Sequence, residues 1–273
     1  MYKSYTSLDF REGMIKKRLE RIKKIILITS GKGGVGKSTV AATMAALTAK
    51  EGMSVGLLDT DVHGPSSAFI FGIRSLPKED RHGLLPPISN GVKVMSLDLF
   101  ATGKPIPVSG KGARQIIKEL LALTEWGNLD FLIVDTPPGT GDVLLTLINV
   151  LGKKAFSIVV TLPTSLSISV VRRTIELLLT SQIPIFGVLE NMSYRADVGK
   201  SHSQSRGELL ALEFGVKFLG ELPIDYKASE AIDARDMPSL LKTDFAKTLL
   251  TLLEKSKLFN YNKTQKLNDG PIQ

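Results

Sequence analysis

The segment from Gly31 to Ser38 has the residue types and the spacing of a phosphate-binding loop. Its sequence, GKGGVGKS, is a complete Walker A pattern that follows an apolar run and opens an Ala-rich one. Glycines let a loop wrap closely enough for backbone N–H groups to point at phosphate oxygens, and a helix N-terminus adds partial positive charge. The pattern therefore predicts nucleotide binding at a strand–loop–helix junction.

Individual side chains of this loop have separate expected roles. Lys37 is predicted to contact the β- and γ-phosphates, the Ser38 hydroxyl to bind Mg²⁺ directly, and Thr39 to contact the α-phosphate. Lys32 stands directly after the first glycine, where a second ammonium can stabilise charge that develops on the transferred phosphoryl group. The residues predicted to bind nucleotide here are Gly31, Lys32, Gly33, Gly34, Val35, Gly36, Lys37, Ser38 and Thr39.

Three carboxylates stand at or just after the ends of two other apolar runs. They are Asp59, Asp61 and Asp135, and ligands of parallel sheets bind at the carboxyl ends of the strands. We expect Asp135 to hold Mg²⁺ through a water molecule, and Asp59 either to do the same or to be structural. Gly139, in the loop that follows Asp135, is predicted to donate its backbone N–H to the γ-phosphate and so to sense hydrolysis.

These residues must be positioned by a layered α/β fold, because apolar runs alternate with helical patterns along most of the chain. The runs are continuous rather than alternating, which suits parallel strands covered on both faces. We predict a single three-layer P-loop NTPase domain with a mostly parallel central sheet and helices on both faces. The predicted strands are Ile25–Thr29, Val55–Asp59, Val92–Leu97, Phe131–Asp135, Ser157–Thr161, Ile185–Glu190 and Val216–Leu219. The predicted helices are Lys37–Lys50, Ala113–Thr124, Val143–Val150, Leu166–Thr180, Glu208–Phe214 and Phe245–Lys255.

The domain is expected to occupy residues 21–257. A basic segment, 1–20, precedes it, and a polar tail, 258–273, follows it. Two polar stretches inside it, 74–91 and 195–206, are predicted to be surface loops.

Composition excludes several classes of chemistry. The 273 residues are 43% hydrophobic and 23% charged, which is typical of a globular protein with a sizeable core. No membrane-spanning apolar run or secretory signal is visible, and a cytoplasmic location is expected. There is no cysteine, so the chain can form no disulfide, has no thiol nucleophile and supplies no thiolate ligand.

The net charge of +8 is carried by the two ends of the chain. Residues 1–24 contribute +5 and residues 255–273 contribute +3, so the body between them is neutral. Basic tails of this kind can contact nucleic acid or an anionic membrane, and they can equally be a solvated helix and a frayed terminus. The sequence leaves both interpretations open and favours the second.

Residues 32–39, KGGVGKST, resemble the deviant Walker A motif of the MinD/ParA/Mrp group of P-loop ATPases. Further segments are similar to the Mrp/ApbC branch of that group, in its switch I, Walker B, switch II and base-binding regions. These segments are 57–66, 126–142, 190–194 and 220–225. The resemblance covers roughly residues 20–250.

The resemblance implies a Mg²⁺-dependent ATPase that forms a homodimer with the nucleotide sandwiched between its subunits. We expect its turnover to be slow, because a nucleotide-dependent switch needs its ATP state to persist. It implies that Lys32 reaches across the interface into the partner's site, and that Asp61 orients the attacking water. With Lys37, these two residues form the implied catalytic set.

The resemblance also places residues around the adenine base. Asn191 is expected to contact the base, because an amide both donates and accepts hydrogen bonds. On the other side of the base the resemblance places Pro223, Ile224 and Asp225.

Mrp-type proteins are associated with binding and transferring iron–sulfur clusters, and many carry a Cys-x-x-Cys pair after the Asn-Met-Ser-Tyr segment. Here the corresponding residues 195–200, RADVGK, contain no cysteine. A cluster needs thiolate ligands, so we expect this chain alone not to hold one. The resemblance still implies iron–sulfur client or scaffold proteins as partners.

Three functional hypotheses follow from the sequence. The first is an Mrp/ApbC-like dimeric ATPase that holds no cluster with its own residues. The second is a nucleotide-dependent interaction or positioning switch, used as MinD or ParA proteins are, without cluster chemistry. The third is a metabolic phosphotransferase on the same fold, which is disfavoured because no second substrate motif is present.

Overall fold

The structure, a computed structural model, describes residues 10–100, 110–193 and 205–259, and an eight-stranded sheet lies at its centre. The strands are β1 (Ile22–Ser30), β2 (Val55–Asp59), β3 (Lys78–Asp80), β4 (Gly83–Leu85), β5 (Ile88–Ser89), β6 (Val92–Met95), β7 (Leu129–Asp135), β8 (Ala155–Thr161), β9 (Ile185–Ser193) and β10 (Phe218–Pro223). The central sheet has the order β10-β9-β8-β1-β7-β2-β6-β5. All of its neighbouring strands are parallel except β5, which is antiparallel to β6. The predicted mostly parallel sheet is confirmed.

Helices cover both faces of this sheet. They are α1 (Phe10–Glu20), α2 (Lys37–Lys50), α3 (Ser67–Ile70), α4 (Gly110–Leu123), α5 (Asp142–Leu151), α6 (Ser165–Thr180), α7 (Arg206–Glu213), α8 (Tyr226–Asp233), α9 (Met237–Leu240) and α10 (Asp244–Lys255). One core cluster joins the sheet to α1, α4, α5, α6 and α7, and a second joins it to α2, α8, α9 and α10. The three-layer α/β architecture is therefore confirmed.

The strands that position the site are buried along nearly their whole length. Every residue of β2 and β8 is buried, as are the last six of β1. Helix α2 is buried around most of its circumference, which its alanines permit because they let neighbouring elements approach closely. The phosphate loop is thus held between two elements that cannot shift without disturbing the core.

Several elements differ from the sequence predictions. The predicted strand Val216–Leu219 is wrong in its start, because the Val216 N–H donates to the Ala211 carbonyl oxygen at 2.9 Å and closes helix α7. The strand begins two residues later and extends to Pro223. Residues 74–91 are not a simple loop, since they contain the hairpin β3–β4 and the edge strand β5.

The basic N-terminal segment contributes one of the surface helices. Helix α1 packs on α4 through buried Ile15 and Leu19, and the guanidinium of Arg18 pairs with Glu125. Most of the predicted loop 195–206 and the tail from residue 260 onward lie outside the described residues. Among the helices that are described, none has both the length and the apolar character to cross a bilayer.

Candidate nucleotide site

The phosphate loop connects the end of β1 to the start of α2, where two glycines meet close neighbours. Gly36 has a φ of 79°, and a Cβ there would lie 2.3 Å from the side-chain nitrogen of Asn191. A Cβ on Gly31 would lie 2.5 Å from the backbone nitrogen of Val171 in helix α6. Any larger side chain at either position would push the loop away from the elements that hold it.

The loop lines a cavity of about 270 Å³ at the carboxyl edge of the sheet. Its walls are residues 32–39 together with Asp61, Gly64 and Pro138. The structure thus brings most of the predicted phosphate loop together with Asp61. Gly64 and Pro138 were not among the predicted site residues, although each follows a predicted carboxylate by three residues in the loop after a strand.

A buried ion pair joins the loop lysine to the carboxylate at the end of β7. Lys37 Nζ lies 2.5 Å from Asp135 Oδ1, and the side chains are 7% and 0% exposed. Burial raises the pKa of Asp135, while the charge and hydrogen bond of Lys37 and the Ser38 hydroxyl lower it; the net direction is upward. The second carboxylate oxygen, Oδ2, is buried without a hydrogen-bond partner among the described residues.

The donor set at this point fits a magnesium ion. Mg²⁺ prefers oxygen ligands, and it is usually held in nucleotide sites by one or two protein oxygens together with phosphates and waters. Asp135 offers an unpartnered buried carboxylate oxygen, and the Ser38 hydroxyl lies beside the same carboxylate. Both residues therefore suit the roles predicted for them.

Asp59 shapes the loop that follows β2. Its Oδ1 accepts the Asp61 N–H at 3.0 Å, and its Oδ2 accepts the N–H groups of Ser66 and Ser67, each at 2.9 Å. Burial, followed by the charge of Asp135, raises the pKa of Asp59 to about 7. Of the two roles that the sequence left open, these contacts favour the structural one.

Asp61 stands at the cavity wall with its carboxylate held in place. Its Oδ1 accepts the N–H groups of His63 and Gly64, both at 3.3 Å, so a turn orients the side chain. Its charge acts on Asp135, whose pKa it raises. Asp61 lines the same cavity as the phosphate loop, and its role in orienting water stays a prediction.

Lys32 also lines the cavity. Its side chain is half-buried and has no hydrogen bond or ion pair among the residues that the structure describes. Its backbone carbonyl oxygen accepts a hydrogen bond from the Ser30 hydroxyl at 3.0 Å. The site therefore contains one lysine that is neutralised by a carboxylate and one that is not.

The backbone N–H of Gly139, which is predicted to contact the γ-phosphate, makes a hydrogen bond within the protein instead. It has a φ of 82°, and its N–H donates to the Ser30 carbonyl oxygen at 2.8 Å. A phosphate contact by this N–H requires that bond to break. The loop after β7 is thereby tied to the end of β1 at the start of the phosphate loop.

Asn191 contacts the phosphate loop directly. Its side-chain nitrogen Nδ2 donates to the Val35 carbonyl oxygen at 2.9 Å, and the residue is 3% exposed. The next residue, Met192, has a φ of 55°, an uncommon backbone conformation for a residue other than glycine. Ser193 then pairs with Pro223 across β9 and β10, which brings the two predicted base-binding segments to one sheet edge.

Asp225, predicted beside the base, has both carboxylate oxygens occupied. Oδ1 accepts the N–H groups of Lys227 and Ala228 and caps α8, and Oδ2 accepts the Phe245 N–H at 2.9 Å. Its side chain therefore fixes two helices. A contact with the base from this segment is left to its backbone and to Pro223 and Ile224.

The family of the chain follows from comparison with known proteins. The family model described as "NUBPL iron-transfer P-loop NTPase" matches residues 21–255. The chain belongs to this family. The iron-sulfur cluster carrier protein of Methanocaldococcus jannaschii is 36% identical to it over 259 residues, which cover 90% of this chain and 89% of that protein.

Solved structures agree with the fold. The nucleotide-binding protein from Archaeoglobus fulgidus in complex with ADP has a TM-score of 0.72 and 32% identity, covering 86% of this chain and 95% of that one. The septum site-determining protein MinD from Pyrococcus horikoshii, complexed with Mg-ADP, has a TM-score of 0.65 and 20% identity, covering 88% and 98%. The MinD likeness shows a shared fold. The predicted membership of the MinD/ParA-type P-loop NTPases, in their iron–sulfur carrier branch, is confirmed.

Proposed function

We propose that this P-loop NTPase is a slow, Mg²⁺-dependent ATPase that works as a nucleotide-sandwich homodimer alongside iron–sulfur proteins. The observation that carries the proposal is the pair of lysines in one cavity. Lys37 is buried against Asp135, whereas Lys32 lines the same cavity without a partner among the described residues. The lysine that is paired with a carboxylate suits phosphate binding. The lysine without a partner suits the stabilisation of negative charge that appears only during the reaction or when the dimer forms.

In this proposal the phosphates lie along the loop from Gly33 to Thr39. Backbone N–H groups at the start of α2 and the Lys37 ammonium hold them, and Lys37 exchanges Asp135 for phosphate oxygens. Ser38 and Asp135 would hold Mg²⁺, which supplies positive charge to the β- and γ-phosphates when bound. The base lies against Asn191 and the end of β10.

Asp61 orients the water that attacks the γ-phosphorus. Water attack breaks the bond between the γ-phosphorus and the bridging oxygen, so ATP and water give ADP and phosphate. The carboxylate accepts a hydrogen bond from that water and is preset by its own turn. Lys32 of one subunit stabilises the developing charge in the site of the other, which links hydrolysis to dimerisation.

The part of the proposal that concerns iron–sulfur clusters rests on similarity to known proteins and on composition. Similar proteins carry the name iron-sulfur cluster carrier protein, yet this chain has no cysteine. Within the described residues there is also no group of three or more His, Asp or Glu side chains that could hold a metal ion. We propose that any cluster handled by this protein is held by cysteines of a partner.

Anaerobic reconstitution with iron and sulfide, followed by visible absorption spectroscopy, tests this part. The chain alone is expected to remain colourless after desalting, and a candidate scaffold protein mixed with it is expected to retain its own cluster. A coloured dimer of this chain with stoichiometric iron would contradict the cargo proposal and leave the ATPase proposal intact.

The ATPase and the dimer are tested together by sedimentation and by phosphate release. Expected results are a dimer with ATP and Mg²⁺, a monomer with ADP, and phosphate release that requires Mg²⁺. If the protein hydrolyses ATP as a monomer, with a turnover per subunit that is independent of protein concentration, the nucleotide-sandwich dimer is ruled out.

A second candidate function is a nucleotide-dependent interaction switch without cluster chemistry, and the lack of cysteine favours it. Its basic ends would then contact a membrane or nucleic acid. Co-sedimentation with anionic vesicles or with DNA at two salt concentrations is the test, since such binding weakens as salt rises. Absence of binding to both would remove this candidate in its membrane and nucleic-acid forms.

A further inference from the structure

A groove separate from the nucleotide cavity lies between helices α1, α4 and α5. Its volume is about 940 Å³, near the upper end of the range typical of small-molecule sites, and none of its lining residues also lines the nucleotide cavity. Each helix presents one face to it, with residues spaced three and four apart as on a helix surface. It is therefore a feature of three packed helices rather than of a loop.

The floor of the groove is apolar. Ile15 and Leu19 of α1 and Leu151 of α5 line it and are 3%, 7% and 3% exposed. Val150, half-buried at the end of α5, extends this floor toward the opening. A ligand in the groove would thus meet aliphatic carbon along its length.

The rim carries an excess of positive charge. Lysine and arginine side chains outnumber acids there by five to two. The cations are Lys16, Lys111, Arg114, Lys118 and Lys154, and the acids are Glu12 and Glu20. An apolar floor beneath a cationic rim fits a molecule with an apolar body and an anionic head.

Three of the five cations already have partners. Arg114 pairs with Asp142, Lys118 Nζ lies 3.8 Å from a Glu12 carboxylate oxygen, and Lys154 Nζ donates to the Leu19 carbonyl oxygen at 2.7 Å.

The other two, Lys16 and Lys111, have no hydrogen bond or ion pair within the described part of the chain. One is on α1 and the other is in the first turn of α4, so they stand on two different walls of the groove.

We propose that this groove is a binding site for an anionic amphiphile, a single alkyl chain with a carboxylate or phosphate head. The alkyl chain would lie on Ile15, Leu19 and Leu151, and the head would pair with Lys16 and Lys111. The chain segments that lead into α1 and α4, residues 1–9 and 101–109, contain two lysines and one acid between them, so they do not offset the positive charge of the rim.

The dimensions favour a small molecule over a partner helix. The groove follows α1 from Glu12 to Glu20, which is about 12 Å at the rise of an α-helix. Two turns are short for an amphipathic helix that docks through anchors over several turns.

Calorimetric titration with dodecanoate, below its micellar concentration and with ADP and Mg²⁺ saturating the phosphate loop, tests the proposal. We expect saturable one-to-one binding that weakens as salt rises, and no binding of acetate or dodecyltrimethylammonium. The double variant Lys16→Glu/Lys111→Glu is expected to bind about tenfold more weakly. Both residues are exposed and have no partner among the residues that the structure describes, so we expect circular dichroism to show unchanged folding.

The matched control is Lys17→Glu, which changes the neighbouring exposed lysine of α1 outside the groove. It is expected to leave dodecanoate affinity within about twofold of the wild type. The proposal is overturned if the wild type shows no saturable binding, or if Lys17→Glu and the double variant weaken binding equally. Binding to phosphatidylglycerol vesicles without binding of monomeric dodecanoate would also overturn it, since that outcome assigns the surface to a membrane.

Discussion

Lys37 Nζ lies 2.5 Å from Asp135 Oδ1, with both side chains almost fully buried. A buried pair of this kind is costly to break from one side, because the remaining charge is left without a partner. Phosphate oxygens can replace Asp135 as the partner of Lys37, and a cation can then replace Lys37 as the partner of Asp135. Nucleotide binding would thus exchange one set of buried charges for another without leaving any of them unpaired.

Lys37→Ala is expected to weaken ATP binding by about 100-fold, the effect of removing a charged hydrogen-bond donor from a buried site. Titration of a fluorescent ATP analogue measures it. The unfolding midpoint without nucleotide should also shift, since Asp135 loses its partner. ATP affinity equal to the wild type would exclude Lys37 as a phosphate ligand.

Lys32→Ala is expected to bind ATP within about twofold of the wild type, because the proposed contact is with the partner's nucleotide, while turnover falls about 100-fold. ATP-dependent dimerisation, followed by sedimentation velocity, should be lost in parallel. Equal turnover in wild type and variant would refute the role.

A mixing experiment separates action in the partner's site from action in the same subunit. Asp61→Asn subunits retain Lys32, and Lys32→Ala subunits retain Asp61. A heterodimer of the two therefore contains one complete site, and the mixture is expected to hydrolyse ATP faster than either variant alone. Activity equal to the sum of the two would place Lys32 in its own subunit's site.

Asp61→Asn is expected to bind ATP normally and to hydrolyse it about 100-fold more slowly. An asparagine oxygen can still accept the N–H groups of His63 and Gly64, so the turn is retained while the carboxylate charge is lost. Single-turnover phosphate release measures the rate. Asp61→Ala, which also loses the turn, serves as the comparison; undiminished hydrolysis by Asp61→Asn would remove the proposed role.

The raised pKa of Asp59 predicts a pH dependence of stability. The folded protein holds the proton up to a pKa of about 7, whereas the unfolded chain releases it near 3.8. The contribution of the Asp59 proton to the free energy of unfolding is therefore fully present below the unfolded pKa and is lost as pH rises toward the folded pKa. Asp59→Asn cannot titrate, so its urea midpoint should fall less than that of the wild type between pH about 4 and about 7.

Asp236 offers a control of opposite sign. Hydrogen bonds from Ser239 lower the pKa of Asp236, which caps α9. Its contribution is present above the unfolded pKa and is lost as pH falls through the folded one. Asp236→Asn should therefore destabilise the protein at neutral pH and less so in acid; parallel pH profiles for both variants and the wild type would contradict the assignment for Asp59.

The sequence predicted best those elements whose ends are set by local chemistry. Helix α2 begins and ends as predicted, since the phosphate loop fixes its start and Glu51-Gly52 its end. Helix α8 was missed although Asp225 is a good capping residue, because that carboxylate was assigned to the base. The hairpin β3–β4 was missed because its strands are three residues long and show no alternation of apolar and polar residues.

Long-range contacts within the site were beyond sequence reasoning. The Asn191–Val35 hydrogen bond spans 156 positions, and the packing of Gly31 on Val171 depends on where α6 crosses the sheet. Motif spacing can place a residue on a strand end, but the order of strands decides which ends meet. The hydrogen bond that the Gly139 N–H donates likewise depends on how the loops meet in the folded protein.

The orientation of Asn191 predicts a preference for adenine. Nδ2 donates one of its two hydrogens to the Val35 carbonyl oxygen, which fixes the orientation of the amide and presents Oδ1 as an acceptor to a base. Adenine presents an amino donor at the position where guanine presents a carbonyl acceptor, so ATP should bind about tenfold more tightly than GTP.

Asn191→Ala should weaken the binding of both nucleotides by loosening the phosphate loop and bring the ATP-to-GTP affinity ratio toward one. Competition titrations measure that ratio, and the exposed Asn149→Ala is the matched control. A ratio unchanged in Asn191→Ala would mean that another group, such as the end of β10, reads the base.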